Sequence, residues 1–385
     1  MSGNLSTCIV AAIRSVVGPG PVALHEPTFS GNELAYLKEC IETTHVASKG
    51  RFIDQFEEDL SEYTGARFVV SMASGTAALH IALRVAGVSV GDEVLLPALT
   101  FVATANAVTY CGATPHFVDC EEQTLGIDTC RLKAYLQSSC EKQSGLTINR
   151  RTGRIIRALV PVHTFGHPSD LDGLMSIASE FNLVLIEDAA ESIGSFYGGR
   201  HTGTFGRAGI LSFNGNKTIT TGGGGAILTD CSELAREARH LSRAARVKHP
   251  WEYVHDDVGY NYRLPNMNAA LGCAQIEQLP GLIDAKRRLY GKYLAAFQQI
   301  KEVELISEPP NARSNYWLQA IRLRSGAIEK FDEILEKGND AGYQLRPIWT
   351  PLHQLIHFKN CPRALLSTAE RLGRSIINLP SMLKP

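Results

Sequence analysis

The chain of 385 residues has no paired-cysteine pattern, no long apolar run and no excess of charge of one sign. Its nine cysteines (Cys8, Cys40, Cys111, Cys120, Cys130, Cys140, Cys231, Cys273, Cys361) are scattered, without a C-x-x-C pair. An odd, unpatterned set argues against a disulfide framework or a zinc site and fits reduced thiols in a cytoplasm. No apolar stretch approaches the roughly 20 residues a membrane span needs. Leu5 to Val17 is mildly amphipathic and carries Arg14, which argues against a cleaved signal peptide. A net charge of −1 without basic blocks argues against nucleic acid or an anionic membrane as the main partner. Internal repeats and low-complexity tracts are missing too. What remains is 44% hydrophobic and 20% charged, a globular composition long enough for two domains.

Two stretches carry chemistry. Ser212-Phe213-Asn214-Gly215-Asn216-Lys217 leads through Thr218 to Thr221 into four glycines, Gly222 to Gly225. Apolar runs at Ala208–Leu211 and Ala226–Leu228 flank it and predict strands. Lys217 has no acid near it in sequence. It reads either as a surface lysine in a hairpin turn or as a partly desolvated amine suited to nucleophilic or Schiff-base work. The second stretch, Leu183 to Ala190, is an apolar run ending in Glu187 and Asp188. It predicts a parallel strand buried on both faces that delivers its acids at the carboxyl end, where open α/β sheets bind ligands. Asp188 reads either as a helix N-cap or as the partner of a protonated heteroaromatic nitrogen. Together, Lys217 and Asp188 are the pair that a pyridoxal 5'-phosphate (PLP) enzyme requires.

Around these, strand and helix alternate, which predicts a mostly parallel sheet wrapped by helices. Arg67–Met72 reads as a strand, and Ser74-Gly75-Thr76-Ala77 after it opens a helix whose free N–H groups suit an anion. Phe101, after the strand ending near Pro97, reads as a ring-stacking residue or a core aromatic. Polar Lys142 to Arg154 reads as a surface loop. His163 and His167 stand four apart, but Gly166 and Pro168 break any helix there, so no metal site is expected. His163 reads instead as an active-site wall. The expected layout is a helical extension at 1–20, a large domain at 21–278 and a small C-terminal α/β domain at 279–385. The small domain is expected to carry strands at Tyr316–Leu323 and Tyr343–Ile348.

Ser-Gly-Thr-Ala-Ala-Leu at 74–79, Glu-Asp-Ala-Ala at 187–190, Ser-Phe-x-x-x-Lys at 212–217 and Gly-Tyr-Asn-Tyr-Arg at 259–263 occur in that order. This set resembles the DegT/DnrJ/EryC1/StrS family of PLP-dependent nucleotide-sugar aminotransferases, which have the aspartate-aminotransferase (type I) fold. The runs at 163–168, 214–225 and Arg346–Trp349 resemble the LegC-type branch, which aminates a 4-keto-6-deoxy sugar on the route to legionaminic acid. The resemblance implies Lys217 as Schiff-base lysine and proton shuttle, Asp188 on the pyridine nitrogen and Phe101 on the ring face. It assigns the phosphate to Gly75, Thr76, Ala77 and Ser212, and gives Asn261 to the cofactor of a neighbouring subunit, hence a homodimer. Substrate contacts are assigned to His163, Asn216, Tyr316 and Trp349. The implied partners are L-glutamate and a nucleotide-linked keto sugar, UDP-linked by the LegC-type resemblance or GDP-linked in a perosamine-type transaminase. Dehydratases of this fold replace the lysine with histidine, and a non-catalytic member is expected to lose Lys217 or Asp188. This chain keeps both. It departs at Gly223, where many members have an acid, and at Glu191, where many have glutamine. A carboxylate there, beside the cofactor's phenolic oxygen, must be protonated or turned away.

Overall fold

The apolar runs that close on polar residues become the strands of one mixed sheet in the structure, a computed structural model describing residues 4–383. Residues 1–3 of the expected extension and 384–385 of the expected small domain lie outside the described residues. The strands are β1 (Phe68–Met72), β2 (Glu93–Pro97), β3 (Thr114–Val118), β4 (Cys140–Gln143), β5 (Leu146–Asn149), β6 (Ile155–Leu159), β7 (Val184–Asp188), β8 (Ala208–Ser212) and β9 (Gly225–Thr229). Their order is β1-β9-β8-β7-β6-β2-β3. Neighbours from β8 to β3 are parallel, whereas β9 runs against both β8 and β1. Every residue of β2, β8 and β9 is buried, as expected of strands covered on both faces. The carboxyl ends of β1, β2, β6, β7 and β8 therefore open on one edge.

The stretch 142–154 is not a plain loop. Cys140–Gln143 and Leu146–Asn149 form a hairpin whose second strand pairs with β6 and extends the sheet. Its exposed, polar first strand hides the alternation that marks a strand in sequence.

The helix Leu279–Phe297 leads into a second, antiparallel sheet of Val303–Leu305, Gln319–Leu323, Ile376–Leu379 and Arg346–Pro347. Pro280 is tolerated in the first turn, where no intrahelical acceptor exists for its missing N–H. The expected strand at 316–323 begins only at Gln319, and the one at 343–348 shrinks to two residues. The helix Leu5–Val17, capped by the Asn4 side chain on Ser6 N–H, packs on Leu279–Phe297 and Phe331–Asp340. Its Ile9 and Ile13 lie one turn apart on one face and are fully buried, worth about 2 kcal/mol each. Among the described residues, no helix is long and apolar enough to cross a membrane.

Candidate active site

The end of β1 turns into the helix Gly75–Val85 through Ser74, whose hydroxyl accepts the Ala77 N–H at 3.0 Å. The N–H groups of Gly75 and Thr76, in the first turn, have no intrahelical carbonyl to reach, which makes this end of the helix a local anion site. Gly75 is required by close approach, because a Cβ there would lie 2.8 Å from Ser212 Cβ. That contact sets Ser212, the last residue of β8, beside the helix N-terminus. After Ser212 the chain makes the lysine loop, closed by Phe213 N–H to Gly224 O at 2.9 Å and Thr221 N–H to Phe213 O at 3.0 Å. Of its four glycines only Gly222 is left-handed, with φ 77°.

These ends surround one pocket of about 360 Å³. Of the residues expected at the site, Gly75, Thr76, Phe101, Asp188, Glu191, Ser212, Asn216, Lys217 and Trp349 line it. Asp188 is buried, with Oδ2 accepting the Thr104 hydroxyl at 2.8 Å and Oδ1 accepting the Ala190 N–H at 3.2 Å. Lys217 Nζ lies 3.2 Å from Glu191 Oε1 and 3.9 Å from the centroid of the Trp317 ring. Glu191 Oε2 accepts the Phe165 N–H at 2.8 Å. Burial, with Asp188 adding to it, raises the Glu191 carboxyl above the usual range, against the opposing pull of Lys217 and the Phe165 N–H. Glu191 is thus turned onto the lysine. Phe101 stands half exposed at the mouth, its ring 6.4 Å from Trp349, which in turn lies 5.2 Å from Phe165.

Four expected residues are placed elsewhere. His163 is fully buried behind the pocket: Nε2 faces Glu187 Oε2 at 3.1 Å and Nδ1 accepts the Ser169 N–H at 3.1 Å, so the imidazole has no nitrogen left for a substrate. Tyr316 is also buried, stacked on Tyr290 at 4.2 Å, and its hydroxyl accepts the Glu308 N–H at 3.2 Å. Ala77 lies one step into the helix, its N–H spent on Ser74. Asn261 is exposed, bridges Arg243 and lies outside this pocket. Thr104 and Trp317 are among the pocket residues not singled out from the sequence. Thr104 was findable, as a hydroxyl in the first turn of the helix that follows Phe101. Nothing in sequence ties Trp317 to Lys217.

A wider cleft of about 680 Å³ lies between the helices Arg51–Thr64 and Asn266–Ile276. No strand end reaches it, and its thiol, Cys273, is pushed up to about 12, first by burial. Volume does not locate the chemistry here. Among the described residues no cluster of His, Cys, Asp and Glu could hold a metal.

The donor set of the smaller pocket fits PLP: an amine at Lys217, a fixed carboxylate at Asp188, an aromatic face at Phe101 and unpaired helix N–H groups beside the Ser212 hydroxyl. Comparison with known proteins agrees. A model of the DegT/DnrJ/EryC1/StrS aminotransferase family matches residues 27–384. The chain is 36% identical over 363 residues to the GDP-perosamine synthase of Caulobacter vibrioides, covering 94% of this chain and 93% of that one. It is 35% identical to the GDP-perosamine synthase of Escherichia coli O157:H7, with the same coverage. Among solved structures, a DegT DnrJ EryC1 StrS aminotransferase from Brucella abortus superposes with a TM-score of 0.80 at 28% identity, over 91% of this chain and 90% of that one.

Proposed function

Because this chain belongs to the DegT/DnrJ/EryC1/StrS aminotransferase family of PLP-dependent sugar aminotransferases, we propose that it carries an amino group from L-glutamate to C4 of a nucleotide-linked 4-keto-6-deoxy sugar. The observation that carries this reading is one pocket holding Lys217, Asp188 and the helix N-terminus at Gly75. When bound there, PLP supplies an electron sink for the carbon that loses its proton. The chain supplies the rest. Lys217 Nζ moves that proton between carbon atoms. Asp188, held by Thr104 and Ala190, keeps a proton on the ring nitrogen. Phe101 covers the ring face, and Gly75, Thr76 and Ser212 take the phosphate.

Similarity to GDP-perosamine synthases over nearly the whole chain supports a GDP-linked sugar. It outweighs the UDP-linked acetamido sugar of the legionaminic-acid route that the shorter LegC-type motifs imply. The working unit on this reading is a homodimer. Asn261 is exposed, and Trp251, Tyr253 and Val258, more than 70% exposed, precede it by three to ten residues, exposed apolar side chains that suit a second copy. The test is the visible absorbance of the purified protein before and after L-glutamate, followed by a coupled assay on GDP- and UDP-linked 4-keto sugars. A yellow protein that bleaches with glutamate and turns over the GDP sugar is expected. A protein that stays colourless after PLP is added would overturn the reading.

A further inference from the structure

The neighbours of the Lys217 amine come from two distant segments, and neither was assigned a part in holding it. Trp317 stands two residues after Asn315, a fully buried amide that ties the two segments together. Asn315 Nδ2 donates to the carbonyls of Glu191 and Ile193, both at 2.9 Å, and its Oδ1 accepts the Trp317 N–H at 2.8 Å. Trp317 is held at two further atoms. Its indole Nε1–H donates to Asn216 O at 2.7 Å, and its carbonyl accepts from the buried Lys286 amine at 3.0 Å. With every polar atom of Trp317 engaged, only the ring face is left, and Lys217 Nζ lies over it at 3.9 Å. The same amine lies 3.2 Å from Glu191 Oε1. Glu191 is fixed in turn, because its second oxygen accepts the N–H of Phe165, a buried aromatic in the left-handed region at φ 56°.

We propose that Trp317 and Glu191 form a seat for the ammonium of Lys217, which holds the amine in the pocket whenever it is not bonded to cofactor. Trp317 is then a positioning residue. The role rests on the reading of Lys217 as the Schiff-base lysine. A lysine released from its bond has a long, flexible stem and a strongly hydrated head, so without a seat it would turn toward water. An aromatic face and a desolvated carboxylate offset that hydration while keeping Nζ in reach of the reacting carbon. The other charged or titratable groups nearby are Asp188, which faces Glu191, and His25, which burial holds well below the usual imidazole range.

The test measures acylation of Lys217 by mass spectrometry in the full-length chain freed of PLP. Trp317→Leu removes the ring face and is expected to raise the labelling rate roughly tenfold. Trp317→Phe keeps a face but loses the Nε1–H, and is expected to stay within about threefold of wild type. Equal rates in the two variants would overturn the seat. Should Trp317→Leu not fold, Glu191→Gln tests the other side. A rise in Lys217 labelling is expected there, and an unchanged rate would overturn the proposal. Adding PLP to the wild-type chain separates the two readings. If PLP fails to protect Lys217 from the reagent, the Schiff-base assignment falls, whatever the variants show.

Discussion

Glu187 and Asp188 are consecutive carboxylates on β7, both buried, and they meet opposite environments. Side chains alternate along a strand, so one acid is delivered to each face. Behind the sheet, Glu187 accepts the N–H groups of Phe205, Gly203 and Gly206 at 2.6, 2.7 and 2.8 Å and faces His163 Nε2 at 3.1 Å. Its oxygens are saturated by a loop that it holds in place. In front, Asp188 has one hydroxyl and one local N–H, and opens on the pocket with Lys217 and Phe101. The difference separates structure from chemistry. A carboxylate whose lone pairs are all taken by its own chain can only stabilise. One that is fixed but not saturated can still serve a ligand.

That contrast is tested first where the effect should be largest. Lys217→Ala removes the proposed proton shuttle, and turnover in the coupled assay is expected to fall about 1,000-fold or more. Activity near that of wild type would sink the mechanism. Asp188→Asn keeps shape and the Thr104 contact but removes the charge; turnover should fall about 100-fold while stability in urea changes by less than about 1 kcal/mol. If Asp188→Asn instead unfolds the protein, the front face is as structural as the back.

Much of this arrangement is legible in the sequence because its chemistry sits in contiguous stretches. The apolar run into Glu187 and Asp188 and the loop carrying Lys217 each announce a strand end. The turn at Ser74-Gly75-Thr76 announces a helix N-terminus. Beyond the strand ends that legibility stops. His163 lies where a wall residue belongs along the chain, but sequence position does not say which face its ring takes, and it takes the one with Glu187. Tyr316 misleads for a related reason. It belongs to a segment that does reach the pocket, through Trp317, while its own ring turns onto Tyr290. Contacts such as Trp317 to Asn216, 101 positions apart, have no local signal. Neither does the pairing of a polar hairpin with β6, which adds two strands at the amino end of that interior strand.

Smaller effects sharpen the same comparison. Thr104→Val deletes the hydroxyl on Asp188 Oδ2 with little change of volume. A hydrogen bond to a charged group is worth about 1.5 kcal/mol, so turnover should drop about tenfold, with the absorbance of bound PLP retained. A loss as large as that of Asp188→Asn would mean that the threonine does more than orient the carboxylate.

Glu187→Gln should have the smallest effect on turnover and a large one on stability. Gln places an NH₂ group among backbone N–H donors that need an acceptor, and leaves His163 without its anion. A loss of about 3 kcal/mol is expected, with turnover per folded molecule within about threefold of wild type. Burial alone would raise the Glu187 carboxyl. The hydrogen bond and charge of His163, with the N–H groups of Gly206 and Gly203, outweigh it and hold the group below the usual value of 4.5. A carboxyl depressed in the folded state contributes stability that is fully present above its unfolded value and is lost as pH falls through the folded one. The gap between wild type and Glu187→Gln in urea melts should therefore stay level from neutral pH down to about 5 and close as pH drops further. A gap that persists at low pH would mean that the variant's cost is packing rather than charge. A turnover loss matching that of Asp188→Asn would erase the distinction between the two faces of β7.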